Sequence, residues 1–347
     1  MSTEEVLLLG HGTVENLDDL PAFLSKIRHG RPSPPELVAE LRRRYEAIGG
    51  SPLLAISNEL AKEVEARVGA RVRVAMRFWH PFAKDVLGEI ARSGCRSLAV
   101  VPLAPYSGHV YAAEMTRVAG EIAEAGLTPP ALRCAPNWGT ESLLVDAFAS
   151  ELAGVLDRLP ESRRAAAHVL FTAHSLPLAV VERGDPYPDH VRATAEAVAL
   201  RAGIQNPWRV VYQSQGMAAD PWLGPDVGAS LLDVARQKAT DVVFCPIGFL
   251  SDHIEILYDL DIEAKARAKE AGLSYARTAS LNASAKLAQR CCRRCTAQQS
   301  TCVRPTIRSA TLRFLIRDSF RASPARCTAD RRIPDKALRP PITTWAE

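Results

Sequence analysis

The sequence predicts an α/β fold of two similar doubly wound (Rossmann-like) halves, each with a parallel four-stranded sheet flanked by helices. Eight apolar, β-rich runs alternate with amphipathic segments joined by short loops, the pattern of parallel sheets covered on both faces. Several of these runs are almost continuously apolar, as strands buried on both faces must be. A short motif also recurs near the start of each half.

The predicted elements follow in chain order. The strand candidates are Val6–Leu9, Val72–Phe78, Ser97–Leu103, Ala131–Ala135, His168–Thr172, Trp208–Gln213, Asp241–Cys245 and Leu273–Thr278. The helix candidates between them are Pro35–Ile48, Ser57–Val68, Ala83–Ser93, Ala112–Ala125, Leu143–Leu159 and Pro188–Ala202.

The recurring motif is a buried strand that ends in a small residue, a histidine and another small residue. It occurs at Leu7–Thr13 and again at Leu170–Leu176. We therefore predict an N-terminal half over residues 1–160 and a C-terminal half over 161–288, with the active-site cleft between them. Residues 289–347 form a basic tail rich in Cys, Arg and Pro, whose composition favours disorder.

Charge is distributed unevenly along the chain. The net charge is +4, but residues 289–347 contain 13 Lys/Arg against 4 Asp/Glu. The preceding 288 residues therefore hold 30 basic and 35 acidic side chains, so the main body is mildly acidic. Because a nucleic-acid-binding face is built into a fold, this distribution excludes nucleic-acid binding as the main function.

Unusual polar residues cluster where the predicted strands end. They are His11, Tyr106, His109, His174, Gln213, Ser214, Ser251, Asp252, His253 and Glu255. Open α/β sheets bind ligands beyond the carboxyl ends of their strands, so this clustering predicts an active site. No Gly-rich phosphate loop and no Gly-x-Ser-x-Gly elbow occurs, which leaves dinucleotide binding and serine hydrolysis without support.

The run from Pro246 to Glu263 carries the most chemistry. Glu255, Asp259 and Glu263 are spaced at i, i+4 and i+8, so a helix would stack the three carboxylates on one face despite their repulsion. His174 with Glu255 could hold a divalent cation with open coordination positions. The alternatives are a solvated acidic face for the row and a core histidine for His174.

The chain resembles the ferrochelatases, enzymes that insert ferrous iron into a porphyrin. The matching segments are Ile27–Arg31, Arg44–Leu53, Phe171–Pro177, Gly184–Asp189, Gln213–Gly216, Pro221–Asp226 and Pro246–Glu263. The resemblance covers about residues 5–284 and is closest, in the first half, to soluble bacterial enzymes of the coproporphyrin type. It implies a chelatase-like fold and insertion of Fe²⁺ into coproporphyrin III or protoporphyrin IX, in haem biosynthesis, with release of two protons.

The resemblance also implies roles for individual residues. His174 and Glu255 would flank the metal, with Asp259 and Glu263 as a relay for cations or protons. Contacts to the porphyrin and its propionates would come from Arg28, Arg44, Tyr45, Ser51, Tyr106 and Tyr111. The alternatives are a surface salt bridge for Arg28 and Arg44, helix or turn capping for Ser51, and packing for Tyr106 and Tyr111.

Two features depart from the family pattern. His11 stands where soluble members often carry a tyrosine, and it could approach the metal axially. The spacing of Cys292, Cys295 and Cys302 is compatible with a [2Fe–2S] cluster, with Cys134 or Cys95 as fourth ligand. No organic cofactor is implied, and Fe²⁺ is a substrate.

Other functions remain compatible with the residues. A non-catalytic haem or metal carrier could use the same cleft, and a relative could insert another metal into another tetrapyrrole. We predict a monomer in the cytoplasm whose partners are a porphyrin and haem. No run is apolar enough to span a bilayer, and the acidic start, Met1 to Glu5, predicts no signal peptide.

Overall fold

A computed structural model describes residues 4–216 and 221–297, with side chains up to Cys292. Its strands are β1 (Glu4–Gly10), β2 (Val72–Met76), β3 (Ser97–Pro102), β4 (Ala131–Cys134), β5 (His168–His174), β6 (Trp208–Gln213), β7 (Asp241–Cys245) and β8 (Ser274–Arg277). Its α-helices are α1 (Leu20–Ile27), α2 (Pro35–Ala47), α3 (Leu53–Val68), α4 (Ala83–Arg92), α5 (Gly108–Glu124), α6 (Ser142–Asp157), α7 (Glu161–Arg164), α8 (Leu178–Glu182), α9 (Tyr187–Ala202), α10 (Val227–Arg236), α11 (Ile254–Leu257), α12 (Lys265–Glu270) and α13 (Ala285–Ala297). A 3₁₀ turn (Leu17–Asp19) precedes α1, and a π-helix (Asp259–Ala264) lies between α11 and α12.

The strands form two parallel sheets with the same topology. The first has the order β2-β1-β3-β4 and the second β6-β5-β7-β8. All pairings within them are parallel. The predicted fold class is therefore confirmed, and the two motif histidines follow or end the equivalent strands β1 and β5.

The cores follow from alternation along the strands. Val6 and Leu8 of β1 point into one apolar cluster, whereas Leu7 and Leu9 point into another on the opposite face of the first sheet. The cluster around Val6 and Leu8 extends through Phe171 into the second half, so the described residues share a continuous core. The boundary near residue 160 stays a prediction, although α7 does separate the two sheets in sequence.

Helix α13 returns the chain to the first half. Leu287 and Cys291 are buried in the cluster that also contains Leu60 and Val64 of α3. The helix extends nine residues into the segment predicted as a basic tail, and the rest of that segment lies outside the described residues. No helix in the described ranges is long and apolar enough to cross a membrane.

Helices α1 and α2 form an excursion between β1 and β2. They bury Phe23, Leu24 and Leu41 in a small cluster of their own, against which Trp79 and Ile254 pack. Because Ile254 directly precedes Glu255, this excursion forms a wall beside the strand ends that carry the polar residues.

Candidate active site

His174 and Glu255 form the centre of the site. His174 is the last residue of β5, Glu255 lies in the first turn of α11, and the imidazole Nδ1 is 3.0 Å from the carboxylate Oε2. Both side chains are a little under one-third exposed, so the pair faces an accessible space. Since an ionised carboxylate only accepts hydrogen bonds, Nδ1 carries the hydrogen, and a neutral ring then has its lone pair on Nε2.

The backbone brings the two residues together through a close approach between β5 and the turn that follows β7. Gly248 donates its N–H to the carbonyl of Thr172, and a Cβ at Gly248 would lie 2.6 Å from the Cα of Ala173. Only glycine allows this contact. Two side chains hold the carbonyls of the pair: Tyr187 donates to that of His174 at 3.0 Å, and Gln213 to that of Glu255 at 2.6 Å.

Electrostatics keep Glu255 ionised. Burial raises the pKa of its carboxyl, but His174, His253 and His11 outweigh burial and bring the pKa down to about 2. His253 Nε2 lies 3.9 Å from the same carboxylate oxygen, while its Nδ1 is bound to the carbonyl of Ser251.

His11 reaches this centre from the other half. It follows β1, its ring packs on Phe78 at 4.8 Å, and its side chain is exposed to the cleft. Although it is solvent-accessible, the surrounding protein lowers its pKa to about 4, with Glu255, His174 and Arg77 close enough to act on its charge. The two motif histidines therefore meet at one site.

The acid row runs along a segment that is only partly α-helical. α11 ends at Leu257, and from Tyr258 the hydrogen bonds become those of a π-helix, as in the bond from Glu263 N to Tyr258 O at 2.9 Å. The prediction of a regular helix is therefore corrected. Over four residues an α-helix turns about 40° more than one full turn, whereas the wider π-helix turns less than one full turn. The two deviations are opposite, so combining them keeps the three carboxylates closer to one face.

Arg44 of α2 places a positive charge beside two carboxylates of the row. It is 2% exposed, and its Nη1 lies 3.0 Å from Asp259 Oδ1 and 3.9 Å from Glu263 Oε2. Its Nε donates to Glu40 at 2.8 Å. Burial raises the pKa of Asp259 to about 7 even though Arg44 and the hydroxyl of Ser214 oppose the shift.

Several residues predicted to contact the porphyrin are buried instead. Arg44, Tyr45, Tyr106 and Tyr111 are each at most 4% exposed. The hydroxyl of Tyr45 is bonded to Thr13 at 2.9 Å, and that of Tyr106 donates to the carbonyl of Ile247 at 3.0 Å. Both rings pack in the core in the conformation described, which is the alternative stated for Tyr106 and Tyr111, and their macrocycle contacts stay a prediction.

The propionate contacts of Arg44 and Tyr45 also stay a prediction. The guanidinium of Arg44 is committed to carboxylates of the protein, and the ring of Tyr45 lies in the core of the α1–α2 excursion. The conformation described gives these side chains almost no surface to offer a ligand.

Arg28 and Ser51 are more accessible. Both are partly exposed, and Arg28 makes no ion pair within the described ranges, while its Nε is buried without a hydrogen-bond partner. Ser51 Oγ lies 3.5 Å from the N–H of Leu53, at the start of α3.

Sequence reasoning missed Arg77. It lies directly after β2, over the rings of Phe78 and Tyr111 at 4.5 and 5.8 Å, and next to His11. Within the described part of the chain it makes no ion pair with a carboxylate. The predicted strand ran to Phe78, which hid Arg77 inside it; a strand end at Met76 would have placed Arg77 among the other polar strand-end residues.

The structure describes only some of the cysteines predicted to hold a [2Fe–2S] cluster. Cys302 and the side chain of Cys295 lie outside the described residues. Cys292 packs with the cluster on one face of the first sheet, whereas Cys95 and Cys134 pack with the cluster on the other. Cys95 and Cys134 therefore lie on the opposite face of the first sheet from Cys292, and the iron–sulfur cluster stays a prediction.

Comparisons with known proteins agree with this arrangement. The ferrochelatase family model matches residues 3–297. The ferrochelatase of Herpetosiphon aurantiacus is 34% identical over 80% of this chain and 93% of its own, and the coproporphyrin III ferrochelatase of Anoxybacillus flavithermus is 35% identical over 80% and 90%. Among solved structures, SirB from Bacillus subtilis with Fe³⁺ covers 86% of this chain and 96% of its own at a TM-score of 0.54, with 13% identity, a likeness of fold.

The two matching parallel sheets are the fold of the chelatases among solved structures, and a histidine–carboxylate pair lies at their strand ends. The family match and the identity to curated relatives then fix the family, and the chain belongs to the ferrochelatases. It is an enzyme that inserts Fe²⁺ into a porphyrin in haem biosynthesis, as the resemblance implied.

Proposed function

We propose that His174 and Glu255 flank the metal on one side of the porphyrin and that His11 faces it from the other half. The observation that carries this is the 3.0 Å contact between His174 and Glu255 at the strand ends, with His11 near enough to act on the charge of both. A flat porphyrin encloses its nitrogens, so a rigid cleft that bends the ring gives the metal access to a pyrrole lone pair.

Two pyrrole protons must leave as Fe²⁺ enters. Glu255, which stays ionised, attracts the cation, while the His174 ring that it orients accepts a proton on Nε2. Asp259 has a pKa of about 7, which suits a group that takes up and releases protons at neutral pH. Because Arg44 places a buried positive charge in the row, we infer that Asp259 and Glu263 conduct protons outward rather than iron inward.

The porphyrin carboxylates are held, in this proposal, by Arg28 and Arg77, with Ser51 at the start of α3. Both guanidinium groups lack a protein carboxylate as partner within the described residues, and guanidinium matches carboxylate geometry. We propose coproporphyrin III as the preferred substrate, since it carries four carboxylates and relatives such as that of Anoxybacillus flavithermus bear its name.

The test of the metal site is anaerobic incubation with Fe²⁺ and porphyrin, followed by absorbance. His174→Ala and Glu255→Gln should abolish iron insertion while porphyrin fluorescence quenching still reports binding. His109→Ala, a half-exposed histidine paired with Asp185, is the matched control and should keep full activity. Full activity in His174→Ala would refute the assignment.

The substrate proposal is tested by running coproporphyrin III and protoporphyrin IX side by side. A higher kcat/KM for coproporphyrin, lowered by Arg77→Gln, supports it; equal values, or no effect of the variant, refute it. Tight haem binding without turnover would favour a carrier, and faster insertion of Co²⁺ or Ni²⁺ another chelatase. The monomeric state and the cytoplasmic location stay predictions.

A further inference from the structure

The segment from Asp252 to Ala264 carries Glu255 and the acid row, yet much of its backbone is irregular. α11 has only four residues, and the π-helix that follows has poorer hydrogen-bond geometry than an α-helix. Such a conformation persists only where surrounding contacts hold it. Burial of Leu260 and Ala264 fixes the inner side of the π-turn, Arg44 and Ser214 hold Asp259, and Arg277 at the end of β8 holds Asp252 and Asp261.

Arg277, the last residue of β8, makes the contacts to Asp252 and Asp261. Its Nε and Nη2 each lie 2.7 Å from one carboxylate oxygen of Asp261, a bidentate pair inside the π-helix. Its Nη2 is also 3.7 Å from Asp252 Oδ1, three residues before Glu255. One guanidinium, 13% exposed, thus connects both ends of the segment.

Arg277 is itself held in place. Its Nη1 donates to the carbonyl of Thr278 at 2.8 Å, and Asp252 accepts hydrogen bonds from Ser280 at 2.6 Å and from Asn282 at 2.9 Å. We call Arg277 with Asp252 and Asp261 the clasp. The loop after β8 therefore holds the clasp in place. The clasp touches neither His174 nor the carboxylate of Glu255, so Arg277 can act only through the backbone that it fixes.

We propose that Arg277 is a positioning residue for metal insertion: by pairing with Asp261 and Asp252 it sets the conformation of residues 252–264 and hence the place of Glu255 against His174. A planar fork is required for this, because a lysine ammonium cannot reach both oxygens of Asp261 in the same geometry. The inference rests on the proposed role of the His174–Glu255 pair.

The test compares kcat, porphyrin affinity and thermal stability in Arg277→Ala and Arg277→Lys. We expect kcat to fall about 10- to 100-fold in Arg277→Ala and by less in Arg277→Lys, with porphyrin Kd within twofold, because a small displacement of a catalytic group has effects of this size. Arg73→Ala is the matched control: Arg73 is 14% exposed and pairs with Glu5 at 2.8 Å, on the first sheet. It should lose stability without losing kcat.

A double-mutant cycle shows whether the effect passes through Asp261. If it does, the kcat of Arg277→Ala/Asp261→Ala should be no lower than that of the slower single variant, whereas independent losses of kcat would multiply. A kcat for Arg277→Ala or Arg277→Lys equal to that of the parent, a kcat loss no larger than that of Arg73→Ala, or multiplicative losses in the cycle would each overturn the proposal. If Glu255→Gln loses iron insertion while Arg277→Ala keeps full activity, only the positioning role of Arg277 is rejected. Full activity in Glu255→Gln would instead reject the proposed metal site.

Discussion

Replacing Asp259 with asparagine should stabilise the protein at alkaline pH. The carboxyl of Asp259 is 11% exposed, and its pKa is raised from 3.8 to about 7, chiefly by burial. An acid whose pKa is raised by folding contributes stability below its unfolded pKa and loses it as the pH rises through the folded value. Asparagine has nearly the same shape and no charge, so the variant should lack this loss.

The magnitude follows from the pKa shift. A shift of about three units, at 1.36 kcal/mol for each, makes the ionised residue cost roughly 4 kcal/mol above pH 7. At pH 5 this cost is only about 1.5 kcal/mol, because pH 5 lies little more than one unit above the pKa of the unfolded residue. The gain of Asp259→Asn over the parent should therefore grow by about 3 kcal/mol between pH 5 and pH 8. Arg44 does not become an isolated buried charge, since it keeps its bond to Glu40.

The assay is urea unfolding of both proteins at pH 5, 6, 7 and 8, followed by circular dichroism. Taking the difference between the two proteins cancels the titration of every group that does not interact with Asp259. Asp233→Asn, the same change at an exposed carboxylate, serves as the control for the substitution itself. A gain for Asp259→Asn that is the same at pH 5 and pH 8 would refute the reasoning, and so would a loss at pH 8.

Three further outcomes follow from the site. Tyr106→Phe should cost about 1 kcal/mol by removing the bond to Ile247 while leaving the KM for porphyrin unchanged, and a raised KM would return Tyr106 to the porphyrin site. Gly139→Ala should cost about 1–3 kcal/mol in urea unfolding, because its Cβ would lie within 2.1 Å of the Tyr106 ring; an unchanged midpoint would contradict that packing. The ring of His11 should stay neutral down to about pH 5 in an NMR titration, since desolvation by the surrounding protein lowers its pKa to about 4, whereas a measured pKa above 6 would contradict this environment.

Local pattern was enough for most of the fold. The predicted limits of β6 and β7 agree with the structure, because a buried parallel strand is an apolar run bounded by polar turns. The end of β2 was missed because Phe78 extends the apolar run by composition alone. The strand stops at Met76, whose N–H turns to the carbonyl of Pro81, and Phe78 packs instead on His11.

The parts of the site that could be predicted are those that depend on local features of the sequence. His174, Glu255 and the spacing of the acid row are visible in the sequence, since strand ends and i+4 spacing are local features. The distant contacts of this segment are not: Arg44 reaches Asp259 from a helix 215 positions away, and Arg277 reaches Asp261 from β8. No local signal distinguishes an arginine that binds a propionate from one that binds a protein carboxylate, so Arg44 was assigned to the ligand.

These partners explain why the unfavourable acid row is tolerated. Three carboxylates on one face repel, and burial raises the pKa of Asp259 to about 7, yet each carboxylate of the row has a partner, from a distant part of the chain for Glu255 and Asp259 and from the next turn for Glu263. Glu255 has His174, Asp259 has Arg44 and Ser214, and Glu263 has Arg267. Replacing all three acids with amides would remove the repulsion and the need for these partners, but it would also remove the groups able to hold and pass a proton. Under the proposed relay, the cost in stability at this row is the physical mark of that function.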